Sequence, residues 1–239
     1  MDQTDKTYSA EVLDFFAESA KKTSRAESVV EVILQGITRG YWKTGDRIND
    51  LELSTQLGVS RLTVREALSK LVERNLLEKK HWKGYTIRKL SWVEVDGLID
   101  VRLVLEELAL RKAVGKMSPE MKEELAAAIE AARIALEAND FVKFFALDYR
   151  FHEIFYNCSE NVWLSKLLGD LRLLINIVRR ISQVDNNREV AKTSIREHER
   201  ILQDIRSSQW EAAVEHLREH LNNHRERVRK EYSTHNLGD

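Results

Sequence analysis

Residues 148–155 read DYRFHEIF, which sets Asp148 and His152 four positions apart among Phe144, Phe145, Phe151 and Phe155. Residues at that spacing share one face of a helix. Three readings are open for such a pair: two arms of a metal site, a buried ion pair, or two residues on a wet edge. Later stretches bear on the choice, REHERI at 196–201 and HLREHLNNH at 216–224. Asp148, His152, His198 and one histidine of the last stretch would supply one carboxylate and three imidazoles. That donor set suits a borderline divalent ion such as Zn²⁺, Ni²⁺ or Mn²⁺. Facing helices of a bundle are a recurrent way to assemble one. His216, His220 and His224 recur every four residues near one face, so periodicity does not choose among them.

A second group of side chains suits a polyanion. Ser60 stands at a helix N-cap position, and Ser60, Arg61, Thr63 and Arg65 crowd the N-terminal end of RLTVREALSKLVER (61–74). Arg61 and Arg65 share a face, and arginine forks match guanine edges and phosphate oxygens. Lys79, Lys80, His81 and Lys83 lie shortly downstream, placed for backbone or minor-groove contact. Net charge sharpens the point only when it is divided. Residues 25–90 hold 13 Lys/Arg against 8 Asp/Glu, a balance of +5, while the remainder holds 25 against 31, a balance of −6. A basic third joined to a mildly acidic remainder suggests a polyanion-binding module attached to something else.

Both groups need elements to hold them. Ser24 and Glu27 have capping-box spacing, Val29, Val30, Ile33 and Ile37 form an apolar stripe, and Gly40 closes that helix. After the turn-rich YWKTGDRIN come a short helix LELSTQL (51–57), a tight turn GVS (58–60) and the helix at 61–74. Leu53, Leu57, Val59, Val64 and Leu68 supply the small core that such a pair shares, and Gly58 permits the turn. Asn75 stands where a left-handed cap is expected; LLEKK and YTIR then read as strands around a HWKG turn. This order is a winged helix-turn-helix, whose second helix enters the major groove.

From Ser91 onward the pattern is helical, near 92–115, 119–138, 141–158, 161–182, 188–207 and 210–232. Ser118-Pro119 and Asp140 are helix starts, and NDF (139–141) and VDNN (184–187) are connections. The expected fold is mainly α: a winged helix-turn-helix at 24–90 and an antiparallel all-α bundle at 91–232. An arm at 1–23 and a tail at 233–239 flank them. Within the arm, VLDFF (12–16) is either part of a mobile segment or a small docking helix.

Composition sets outer bounds. With 239 residues, 43% hydrophobic and 32% charged, the chain can build a real core. One proline and nine glycines favour long helices. The single Cys158 excludes an internal disulfide framework and suits a reducing compartment. No apolar run approaches the roughly 18 residues of a membrane span, and the polar start MDQTDKTYSA lacks a signal-peptide core. These features predict a cytoplasmic protein with no membrane partner.

GVSRLTVREALSKLVERNLLE, followed by a wing, resembles the DNA-binding domain of the GntR family of bacterial transcription regulators. ITRGYWKTGDRI fits that family's entry segment, with Thr44 where proline is common. Trp82 replaces a usual wing glycine, and Asn75 replaces a common glycine after the recognition helix. LDYRFHEIFYNCSEN, SIREHERIL and AAVEHLREHL are similar to three motif regions of the FCD effector domain found in the FadR-type subgroup. Glu160 departs from a frequent glycine in the loop after the third helix of that domain. The likeness runs from Ser24 to about Tyr232.

The resemblance maps metal ligands onto Asp148, His152, His198 and His220, leaving His216 and His224 facing solvent or supporting the ligands. It implies a cavity that receives a small organic acid, often through the metal. Arg102 matches an arginine common at the start of the FCD domain and would pair with that carboxylate; a salt bridge to Glu106 is the other reading. Asn176 and Arg179, with Arg172, recur at helical spacing on the fourth bundle helix and are candidates for the same cavity.

The resulting expectation is a homodimeric, acid-responsive transcription regulator, a repressor that reads a palindromic double-stranded operator. A metal-sensing regulator keeps the fold and changes the effector. A metal-dependent hydrolase would need a general base. Glu153 and Glu197 each adjoin a proposed ligand in sequence, but neighbouring helical residues point elsewhere.

Overall fold

The computed structural model describes residues 24–80, 84–181 and 188–234, without the side chains of residues 38, 176, 177, 179–181 and 234. The expectations for the arm, His81, Trp82, Lys83 and the 184–187 connection fall outside these residues, as do those for the side chains of Asn176 and Arg179. The chain divides into two compact units, residues 1–89 and 90–239.

In the first unit, α1 (Arg25–Arg39) starts at Ser24, whose side chain accepts from the Glu27 amide, and ends at Gly40 in the left-handed conformation. Strand β1 (Arg47–Ile48) leads into α2 (Asp50–Leu57), capped by Asn49. Gly58 adopts φ 63°, making the sharp turn into α3 (Arg61–Glu73), where the Ser60 side chain caps Thr63. Asn75 has φ 58°, a conformation that asparagine tolerates better than most residues. The Leu76 amide then closes back on the Leu71 carbonyl at 2.9 Å. Strands β2 (Leu77–Lys80) and β3 (Gly84–Ile87) form the wing. The sheet order is β1-β3-β2, all antiparallel, with Ile48 opposite Tyr85 and Leu77 opposite Ile87.

The turn-rich reading of YWKTGDRIN missed β1. Two residues are too short for a period-two pattern, and only pairing with β3 defines them. Leu53, Leu57, Val64 and Leu68 are buried as expected, whereas Val59 is half-buried beside the turn.

The second unit holds, among the described residues, six helices and no strand: α4 (Trp92–Ala113), α5 (Pro119–Glu137), α6 (Phe141–Cys158), α7 (Val162–Ile181), α8 (Arg188–Arg206) and α9 (Trp210–Thr234). Each predicted start appears as a cap. Ser118 accepts from Met121, with Pro119 in the first turn, and Asp140 accepts from Lys143. Ser91 and Glu94 complete a capping box at α4. Short links force reversals, so α5 packs on α6 and α8 on α9. Asn139, Glu160 and Ser208 make those links at φ 56°, 53° and 57°. Glu160 thus holds a left-handed conformation where glycine is the easier residue. The main core gathers Phe144, Phe151, Phe155, Leu110, Ile201 and Leu217, with a smaller cluster of Val95, Ile99, Val178 and Val228. Among the described residues no helix is long and apolar enough to cross a membrane.

Candidate metal centre and DNA-reading face

Three helices of the second unit each contribute one imidazole to a buried point. His152 on α6, His198 on α8 and His220 on α9 offer ligand atoms within 4.8 Å of one another. His198 Nε2 lies 3.2 Å from His152 Nε2 and 3.3 Å from His220 Nε2. The aromatic residues of DYRFHEIF help to orient the cluster. Phe151 stacks on His198 with ring centroids 4.0 Å apart, and Phe155 packs edge-on against Phe151.

The outward nitrogens are held by carboxylates. His152 Nδ1 donates to Glu106 Oε2 at 2.7 Å, and His220 Nδ1 donates to Glu197 Oε2 at 2.7 Å. A neutral imidazole that donates from Nδ1 presents a lone pair at Nε2. Two such lone pairs therefore face His198 Nε2, which carries at most one proton to share between them. A divalent cation satisfies all three at once, and carboxylate-backed histidines are the usual support for one. The donor set fits a metal ion on this ground.

Burial pushes His152 down to about 4, further than the adjoining Glu106 raises it, so the imidazole is neutral near pH 7. Burial alone would raise Glu106; Arg102, His152 and Tyr156 outweigh it and hold the carboxyl below its ordinary range. Glu197 behaves alike, with burial opposed chiefly by the His220 hydrogen bond and Arg227.

Asp148 lies one helical turn before His152. Its Oδ1 accepts from Ser194 Oγ at 2.7 Å and lies 3.8 Å from His198 Nδ1. It is buried beside the trio but is not among the three groups that converge most closely. His216 pairs with Asp204. His224 is buried rather than solvent-facing. Glu197 turns away from its sequence neighbour His198, as adjacent helical residues do, and meets His220 across the helix pair. Glu106, which sequence spacing offers as a partner for Arg102, also backs His152.

That pairing holds, and it is not the whole account. Arg102 Nε donates to Glu106 Oε1 at 2.6 Å with both side chains buried, and Tyr156 donates to the same oxygen at 2.7 Å. Among the described residues, Arg102 Nη1 is buried without a hydrogen-bond partner. An unmet guanidinium donor in a dry interior is costly. It stands one carboxylate away from a metal-site histidine. Arg172, half-exposed, lies over the Tyr149 ring at 4.1 Å and 3.8 Å from Glu153.

In the first unit, the start of α3 presents Arg61 and Arg65, both exposed. They are not free forks. Asp50 accepts from Arg61 Nε at 3.0 Å and from Arg61 Nη2 at 2.9 Å, and lies 3.9 Å from Arg65 Nε. The arginine hydrogen bond is the largest influence holding Asp50 below its usual range. A guanidinium has five N–H donors, so Arg61 keeps its outer edge for a phosphate or a base. Thr63 shares a 2.8 Å hydroxyl contact with Ser60. On the wing, Lys80 is exposed and pairs with Glu78 at 2.8 Å.

Residues 97–223 match the FCD domain family, and residues 25–87 match the family described as bacterial regulatory proteins, gntR family. The chain is 31% identical over 187 residues to the HTH-type transcriptional regulator YdhC of Bacillus subtilis (strain 168), covering 78% of this chain and 83% of that one. It is 25% identical over 209 residues to a probable D-xylose utilization operon transcriptional repressor of Paenarthrobacter nicotinovorans, covering 87% and 91%. Its fold is shared with the crystal structure of a GntR transcriptional regulator from Rhodococcus sp. RHA1, with TM-score 0.78, 20% identity and coverage of 87% of this chain and 99% of that one.

Proposed function

Since this chain belongs to the GntR family of bacterial transcription regulators and carries an FCD domain, we propose that it is a homodimeric repressor whose affinity for a palindromic operator is set by a small organic acid received beside a metal ion. The family consists of DNA-binding regulators, which leaves the hydrolase alternative without support. The observation that carries the proposal is the convergence of three imidazole nitrogens next to a buried arginine with an unmet donor.

In this reading His152, His198 and His220 hold the ion, with Asp148 as the fourth ligand. Zn²⁺, Ni²⁺ and Mn²⁺ all suit such a set. When bound, the ion supplies a Lewis-acid position for a carboxylate oxygen. Arg102 receives the other oxygen through Nη1 while Glu106 fixes its Nε. Ser60, Arg61, Thr63 and Arg65 read the major groove and its phosphates, and Lys80, His81 and Lys83 meet the backbone from the wing. A ligand that prefers one arrangement of the paired subunits shifts their affinity for DNA by that preference.

The test is fluorescence anisotropy on a duplex selected in vitro from a random library. Small mono-, di- and tricarboxylates should include one that weakens binding at least about tenfold, a coupling of ordinary size, and only in metal-loaded protein. Chelation alone should leave the duplex bound. If chelation by itself changes affinity and no acid does, the ion is the signal and the metal-sensor reading replaces this one.

A further inference from the structure

Helix α4 turns an unusual face to solvent. Between residues 97 and 108 its exposed positions are Gly97, Asp100, Val101, Val104 and Leu108. Asp100 pairs with Arg225 of α9 while staying 66% exposed, and beside it Gly97, Val101, Val104 and Leu108 form an apolar line. Val101, Val104 and Leu108 are 48%, 63% and 40% exposed. Their spacing of three and four residues is that of a helix–helix seam. In a chain that is 32% charged, an uncharged stripe at the exposed centre of a long helix needs a reason.

Gly97 independently raises the same question. Glycine inside a helix destabilises it relative to alanine. A Cβ built on Gly97 would meet nothing within 4 Å among the described residues, so their packing does not require the small residue. A missing side chain on an exposed helix face is what a closely approaching second helix requires.

We infer that the Gly97–Leu108 stripe of α4 is the centre of the homodimer interface, formed by two copies of α4 crossing antiparallel about a dyad between Val101 and Val104. This rests on the dimeric reading above and adds the surface. In an antiparallel pair, residue numbers facing each other have a constant sum. The dyad places Val101 opposite Val104 and Gly97 opposite Leu108, so the largest side chain of the stripe enters the gap left by the glycine. One turn further out it sets Glu94 opposite Arg111, an acid facing a base at each end. The stripe is therefore complementary to itself in size, as a twofold interface demands, and its ends bring opposite charges together, with Arg111 also paired to Glu107 and Glu211 of its own chain. It pairs α4 with α4, the helix whose buried face carries Arg102 and Glu106. A ligand that moves these two residues moves the interface helix itself.

The test is sedimentation of the full-length, metal-loaded chain across nanomolar to micromolar concentrations. The native chain should be a dimer. Val101→Glu and Val104→Lys, both at exposed positions, should each raise the dimer dissociation constant on the order of 100-fold, because each buries an unpaired charge, while the separated chains keep native helical circular dichroism. Mixed together, the two variants should recover a heterodimer, since one Glu then faces one Lys. That recovery also certifies that both chains are folded. Gly97→Leu should likewise yield a monomer. Native dimers that persist in all three variants overturn this surface while leaving the dimeric reading intact. A native chain that stays monomeric at micromolar concentration overturns both.

Discussion

Glu106→Ala is expected to destabilise the helical unit by about 3–5 kcal/mol, the usual cost of leaving one partner of a buried ion pair uncompensated. Arg102 is fully buried, and among the described residues its Nη1 has no hydrogen-bond partner and its guanidinium pairs with Glu106 alone. The loss would also strand the Tyr156 hydroxyl and release His152 Nδ1. Without that orienting carboxylate, affinity for a divalent ion should fall about 10- to 100-fold, as for other carboxylate-backed ligands. Glu106→Gln separates the two effects. It keeps an acceptor for Arg102 and Tyr156 and so should recover part of the stability. It removes the charge that holds His152, so metal affinity should stay low. Urea unfolding gives the first quantity and competition with a chelator gives the second. Native-like stability in Glu106→Ala would mean that Arg102 finds another counter-charge.

Arg65→Ala should lower operator affinity about 10- to 100-fold, equivalent to 1–3 kcal/mol for an arginine read by a base edge or phosphates. Metal content should be unchanged, because every proposed ligand lies in the second unit. Arg65 is the better target than Arg61 because Asp50 holds it less closely, at 3.9 Å against 2.9 and 3.0 Å. Asp50→Asn should act in the opposite sense on electrostatics. Freeing both guanidinium groups adds one positive charge near the phosphates, which should steepen the salt dependence of non-specific binding by about one ion. It should also narrow the gap between specific and random duplexes, because Arg61 loses the carboxylate that fixes its orientation. Anisotropy at several salt concentrations measures both, and Arg65→Ala binding the operator with native affinity would remove the recognition helix from the account.

Much of this molecule could be read from local signals. Ser24, Ser60, Ser118 and Asp140 each cap the helix that their position announced, because capping depends on a few adjacent residues. Asn75 adopts the left-handed conformation expected after α3. The His152, His198 and His220 cluster followed from motif resemblance and not from periodicity, which left three histidines of α9 equivalent. What escaped the sequence depends on distant partners. Strand β1 exists only through pairing with residues 85–86. The contacts of Glu106 with His152 and Glu197 with His220 span 46 and 23 residues. The grip of Asp50 on Arg61 links two different helices. His224 is buried, which removes the solvent-facing one of the two readings its spacing allowed.

The central claim is that His152, His198 and His220 hold a divalent ion. Its most direct test is titration of Zn²⁺ into metal-stripped protein in competition with a zinc-responsive chelating dye, beside His198→Ala. The native protein should draw one ion per chain from the dye and His198→Ala none, with both retaining native helical circular dichroism. A native chain that leaves the dye saturated, or a variant that matches it, would contradict the claim.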